Sequence, residues 1–268
     1  MRIACSSWSF RSQIVREGPE VGLRNFVDQL VDLGIRGAEF LESHLGEQSL
    51  ERIIGLAKYC NTRGIEIPTI ALENDFSWID STHRTAQVAR VKRWIQIASE
   101  AQIPYLRLFT GEKKPKTDIT LQKRLVLECL SECACEASRC GNVTLAVENH
   151  GVHAVYSTPH DMLELLRDVN SEYVKLCLDP YNFYSVNLGE ETIYEGAKLL
   201  VPLAVHTHAL INEFGEDGRA TNMDLDRIMT IYKDAGYEGY ISIEYYGESE
   251  PYEPVRLAAK QIQRFIRG

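Results

Sequence analysis

Short apolar runs recur along the chain, each preceded by a stretch of helical spacing that stops at a glycine. DQLVDLG ends at Gly34 before IRGAEF, YCNTRG at Gly64 before IEIPTIAL, EASRCG at Gly141 before NVTLAVE, and KDAG at Gly236 before YEGYISIE. Glycine just past a helix takes the left-handed stop that other residues resist, and an apolar run directly after it has the character of a parallel strand buried on both faces. Extending the pattern predicts strands near 2–7, 37–41, 66–72, 104–109, 143–148, 174–179, 202–208 and 239–245. Helices are predicted near 20–33, 47–62, 82–101, 118–140, 159–168, 190–199, 222–235 and 252–266. Thr158 before Pro159 marks one helix start, and Thr221 ahead of Asp224 marks another. Eight strand–helix alternations, averaging about 33 residues, favour a closed (β/α)8 barrel of the TIM type over a doubly wound sheet.

The expected architecture is therefore α/β, with residues 1–268 as one barrel domain. A nucleotide-binding sheet would carry a glycine-rich turn after its first strand, where this chain has CSSWSF. The net charge of −9 opposes a phosphate-backbone surface, so no nucleic-acid partner is expected. No apolar run approaches the roughly 18 residues of a membrane span, and MRIACSSWSFRSQIV lacks the apolar centre of a secretory signal. With seven cysteines, an odd number that suits a reducing compartment, the expectation is a cytoplasmic protein without a membrane partner. Cys129, Cys133, Cys135 and Cys140 match no zinc spacing and are expected to be thiols packed along a helix. Whether the chain forms a homo-oligomer is left open by the sequence.

Glu148, Asp179, His208 and Glu244 stand at the ends of the last four predicted strands, 31, 29 and 36 residues apart. A barrel would bring such strand ends together in its mouth. Three carboxylates there would repel one another unless a cation neutralised them, so the set describes a hard divalent-metal site. Its oxygen-rich composition suits Mn2+ best, with Mg2+ or Co2+ as alternatives and Zn2+ less favoured because no thiolate and only one histidine are present. His206 and His208 face the same way by strand alternation, so the spacing leaves either as the ligand. Arg107 is a charge within a strand, placed to orient a substrate or brace Glu148. Trp8, at the end of the first predicted strand, could stack on the flat face of a ligand, and His150, two residues past Glu148, could bind a hydroxyl or act as a base. Lys113, Lys114 and Lys116 read as a solvated loop, and His153 and His160 carry no expected catalytic role.

The runs AVENHG, LCLDPYNFY, VHTHALI and ISIEYY, with GAEF and LRLFTG, resemble the xylose isomerase-like barrel superfamily over essentially the whole chain. That superfamily includes sugar isomerases, ketose epimerases, inosose dehydratases and the endonuclease IV family. The resemblance implies metal ligation by Glu148, Asp179, His208 and Glu244. It also implies that Glu148 and Glu244 act as an acid/base pair on opposite faces of an enediolate, with a small sugar as partner. Two positions depart from the pattern: Asn182 replaces the histidine of Asp-x-x-His, and Ala209-Leu210-Ile211 replaces a Lys-Asp step. Asn182 and His206 then remain as substrate-facing candidates. A metal-dependent sugar isomerase or epimerase is the first expectation. The alternatives are a dehydratase or lyase, with His150 as its base, then an endonuclease IV-like repair enzyme or a non-enzymatic sugar-binding barrel.

Overall fold

Each strand that follows one of the glycine stops is parallel to its neighbours, and the eight strands close in sequence order into a barrel. The computed structural model describes residues 1–186 and 189–266. The strands are β1 Arg2–Ser6, β2 Gly37–Leu41, β3 Glu66–Ala71, β4 Tyr105–Leu108, β5 Thr144–Glu148, β6 Val174–Leu178, β7 Ala204–Ile211 and β8 Tyr240–Tyr245. Around them run α1 Arg11–Glu17, α2 Pro19–Asp32, α3 Leu50–Thr62, α4 Ser81–Glu100, α5 Ile119–Cys140, α6 Pro159–Val169, α7 Glu190–Leu200, α8 Leu225–Asp234 and α9 Tyr252–Ile266. No helix among the described residues is long and apolar enough to cross a membrane.

Three elements differ from the sequence expectation. The loop after β1 folds into a short extra helix, α1, which turns sharply at Gly18 (φ +81°) into α2. There α2 crosses so closely that a Cβ on Gly22 would stand 2.6 Å from the Cα of Ile14. Helix α8 is capped by Asp224, whose side chain accepts from the Arg227 amide, while Thr221 donates to the Glu213 carbonyl instead. A carboxylate at the cap satisfies an orphan amide and also meets the positive end of the helix, which a hydroxyl does less strongly. Finally, β7 runs three residues past His208, because Ala209, Leu210 and Ile211 keep pairing with β8 as far as Tyr245.

Residues directly opposed across parallel strands share a face, so the register identifies the inward row. Glu39 opposes Thr69, Arg107 opposes Ala146, and Glu148 opposes Cys177. Cys177 opposes His206, His208 opposes Ser242, and Leu210 opposes Glu244. Barrel interiors are usually filled by branched apolar side chains. Here the row is polar and almost wholly buried: Glu39, Thr69, His206 and Ser242 are all at 0% exposure. The apolar alternates, among them Phe40, Ile70, Leu106, Val147 and Ile243, face outward into the core beneath the helices. At the opposite end from the strand C-termini, the Tyr240 ring fills the space over Gly37, where a Cβ would come within 2.6 Å of it. The Tyr240 hydroxyl donates to Glu66 at 2.8 Å, and the Arg2 guanidinium lies 4.1 Å from the ring centre.

Candidate metal centre

Glu148 ends β5, Asp179 follows β6 by one residue, and His208 and Glu244 lie within β7 and β8. Each strand buries its outward apolar residues against helices, which leaves these inward side chains no alternative but the mouth. All four are buried, at 2%, 0%, 1% and 5% exposure. His208 is the hub. Its Nδ1 lies 3.4 Å from Glu148 Oε1 and 3.6 Å from Glu244 Oε2, yet it is buried without a hydrogen-bond partner. Ligand atoms of Glu148, Asp179 and His208 all lie within 4.8 Å of one another, as do those of Glu39, His208 and Glu244. Donors held about 2.1 Å from one cation stand roughly 3.0–3.4 Å apart, so the spacing and the unpartnered nitrogen both fit a divalent ion among these side chains.

Neighbouring groups hold the candidates in place. Asn149 clamps the Asp179 backbone from both sides, its Nδ2 donating to the Asp179 carbonyl at 2.6 Å and its Oδ1 accepting from the Asp179 amide at 2.9 Å. Asp179 Oδ1 accepts from the Tyr181 amide. Asn182 Nδ2 reaches both Asp179 Oδ2 at 3.0 Å and Glu148 Oε1 at 3.2 Å. Arg107, itself buried, sets Nε 3.2 Å from Glu148 Oε2 and donates from Nη1 to the Leu72 carbonyl at 3.1 Å. That contact places Arg107 as a brace for Glu148.

Burial and charge separate the acids. Burial raises Glu148, but the His208 ring and the Arg107 guanidinium outweigh it and hold the carboxyl at about 2. Burial pushes Glu244 up to about 7, and burial with the Glu148 charge drives Asp179 well above the carboxylate range. Two of the acids thus resist ionisation with only side-chain cations to pair with. A bound cation would remove that penalty for both at once, consistent with the donor set.

The sequence did not single out Glu39. It is fully buried in the middle of β2, with Oε2 2.6 Å from His206 Nε2 and 3.2 Å from His208 Nε2. Burial opposes its ionisation, but the two rings hold its pKa well below the ordinary value. A carboxylate on Nε2 fixes the ring and leaves Nδ1 facing Glu148 and Glu244, which selects His208 as the imidazole of the mouth. His206 sits one step deeper, fully buried against Glu39, in the barrel interior rather than on a substrate-facing wall. The available signal for Glu39 was a lone acid within the apolar run GAEFL; it lies on β2, distant in sequence from the consecutive strand ends of β5 to β8.

The remaining candidates ring the mouth. A cavity of about 510 Å3 opens beside the cluster, lined by Phe109, His150, Asn182, Asn74 and Glu112 among others. His150 is exposed to it, its ring 4.1 Å from the centre of Phe109. Trp8 stands half-buried beyond β1, between Tyr246 at 5.3 Å and the Arg11 guanidinium at 4.8 Å. Two of the loop lysines are not freely solvated: Lys114 pairs with Asp75 at 2.5 Å over the Trp78 ring, and Lys113 donates to the Val152 carbonyl. The cysteine group lies along α5, with Cys129 and Cys133 buried.

Several solved structures share the fold. A D-tagatose 3-epimerase-like protein superposes with a TM-score of 0.79 at 17% identity, covering 100% of this chain and 99% of its own. D-psicose 3-epimerase from Clostridium cellulolyticum H10, solved with D-tagatose, gives 0.74 at 16% identity, with 100% and 97% covered. The probable 3-DHS dehydratase of petrobactin synthesis from Bacillus anthracis gives 0.75 at 16% identity, with 97% and 98% covered. Comparison with curated protein sequences gives no significant match. The model of the xylose isomerase-like TIM barrel family matches residues 27–268, most of the chain, and with the closed barrel and its inward polar row this places the protein in that family.

Proposed function

We propose that the protein is a divalent-metal-dependent sugar isomerase or epimerase that moves a proton on the carbon next to a carbonyl. The observation that carries this reading is the convergence of Glu148 and Glu244, from strands β5 and β8, on the one nitrogen Nδ1 of His208, at 3.4 and 3.6 Å. Two carboxylates flanking one point can serve the two faces of a flat intermediate, one removing a proton and the other returning one. Without an ion their surroundings already treat them differently, the His208 ring and the Arg107 guanidinium holding Glu148 ionised while burial opposes the charge on Glu244, so the two carboxyls are not equivalent partners for a proton. Glu148, Asp179, His208 and Glu244 would hold the ion, with Mn2+ favoured by the oxygen-rich set and Mg2+ or Co2+ as alternatives. Once bound, such an ion polarises a substrate carbonyl as a Lewis acid.

This chain's own residues supply the rest. Arg107 fixes one Glu148 oxygen, and Asn182 spans Glu148 and Asp179, so the base keeps its direction when a sugar enters. The 510 Å3 cavity, with Phe109 and His150 packed together on its wall and Asn74 and Asn182 beside them, gives a polyol both an apolar wall and hydrogen-bonding groups. Epimerases among the structural neighbours support this class of substrate.

The test is incubation of the Mn2+-loaded protein with a panel of free ketoses in deuterated water. Deuterium incorporation beside the carbonyl together with a new sugar isomer is the expected outcome; binding without exchange across the panel would leave a sugar-binding barrel in its place. A second reading, elimination by a dehydratase or lyase, is favoured by His150, a further imidazole that faces the cavity and lies outside the ligand cluster. Loss of water or of an aglycone in the same assay, abolished by His150→Gln, would select it.

A further inference from the structure

Beneath the carboxylates the barrel holds a thiol that the chemistry above leaves unused. Cys177 is fully buried on β6, two residues before Asp179. Its Sγ lies 3.5 Å from His208 Nε2, the nitrogen opposite to the one that faces Glu148 and Glu244. This sulfur and one ring nitrogen each of His206 and His208 lie within 4.8 Å of one another. Independently, His206 Nδ1 and Glu39 Oε1 are buried here without a hydrogen-bond partner. Buried polar atoms are seldom left unpaired without a cause, and an ion is one such cause.

We propose that Cys177, His206 and His208 form a second, inner metal site for thiophilic ions of the zinc and cadmium class. One sulfur and two imidazoles make a softer donor set than the oxygen-rich mouth, and it prefers a different kind of ion. Around a tetrahedral zinc, bond lengths of about 2.3 Å to sulfur and 2.0–2.1 Å to nitrogen set the S···N edge at roughly 3.6 Å, close to the 3.5 Å between Cys177 and His208. Cys177 would bind as thiolate, its proton leaving to solvent.

The two sites share one ring. A neutral imidazole has a single lone pair, the other nitrogen carrying the proton. An ion on Nε2 places the N–H on Nδ1, pointing at Glu148 and Glu244 and withdrawing the donor of the mouth. Inner and outer ions are therefore alternatives. A thiophilic ion inhibits by occupying a place the hard ion never uses.

The test uses the metal-free full chain titrated with Cd2+ alone or Co2+ alone, followed by the ultraviolet sulfur-to-metal charge-transfer band, which lies at shorter wavelength for Cd2+ than for Co2+. X-ray absorption of the Cd2+-loaded chain then counts sulfur neighbours. We expect the band in the unaltered chain and in Asp179→Asn, where the mouth is disarmed, with one sulfur neighbour. Cys177→Ser should weaken Cd2+ binding by at least about tenfold. Mn2+ binding, read by calorimetry, should be suppressed by one equivalent of Cd2+ in the unaltered chain and spared in Cys177→Ser. Absence of the band from the unaltered chain overturns the inner site without any variant, as does a band that Cys177→Ser leaves unchanged. If Mn2+ never binds, the mouth assignment fails, while the band still decides the inner site.

Discussion

His208 illustrates how much one side chain's neighbours decide. Its two nitrogens serve different purposes, Nε2 meeting Glu39 at 3.2 Å and Nδ1 facing two carboxylates. The carboxylate on Nε2 orients the ring and raises the basicity of the other nitrogen. Glu39→Gln keeps all four proposed ligands and the size of the side chain, so it isolates this effect. We expect a loss of about 10–100-fold in Mn2+ affinity by isothermal titration, with the circular dichroism spectrum unchanged; an unaltered affinity would show that Glu39 serves only the interior. The four strand-end residues were legible in the sequence because they interrupt apolar runs at a repeated interval. Glu39 interrupts one as well, but its partners His206 and His208 are more than 160 residues away, a pairing that only barrel closure creates. Asn149 was equally hidden, since its hydrogen bonds to the Asp179 backbone depend on the β5–β6 register and not on anything local.

At the scale of elements, helix starts show which signals are local. Thr158 and Asp161 form a reciprocal capping box at α6, with Pro159 at the first helical position, as the sequence indicates. Lys123 of α5 adds a contact no local pattern reveals, reaching Asp161 at 2.7 Å and Glu164 at 2.6 Å. Burial raises the Asp161 pKa, but Lys123 and the Thr158 amide outweigh it, so the folded value lies below the ordinary one. The corresponding stability is present above the unfolded pKa of about 3.9 and disappears as pH falls through the folded value. Asp161→Asn should cost about 1 kcal/mol near neutral pH in urea unfolding, with the difference shrinking in acid. A difference that stayed constant down to low pH would assign the loss to shape and not to charge. The Asp224 cap was missed for a related reason: Thr221 and Asp224 both offer an oxygen, and the choice follows from the Phe214–Ala220 bridge, which ties Thr221 into the preceding loop.

Across the whole molecule, the alternation of helices and strands was legible because each unit carries its own punctuation, and a parallel sheet of eight such units closes in one order. The polar bore was less so, since alternation says which residues share a side but not which side is the interior. A metal bound only by the folded barrel stabilises it by mass action. Saturating Mn2+ at about 100 times its dissociation constant should add about 2.7 kcal/mol, and at this chain length raise the melting temperature by roughly 5–10 °C; chelation should reverse it. A melting temperature indifferent to both would count against any resident ion. The overrun of β7 bears on how the barrel comes apart. Its ladder with β8 holds six consecutive residue pairs, from His206 with Tyr240 to Ile211 with Tyr245, whereas β3 and β4 share three. Backbone amides of β7 and β8 should be the slowest in the protein to exchange with deuterium, and those of β3 and β4 among the faster strand amides. His208 and Glu244 both ride on the slow pair. A chain caught half-open would keep that part of its grip on an ion, so breathing at the β3–β4 seam would let substrate-sized molecules in and out before it let the metal go.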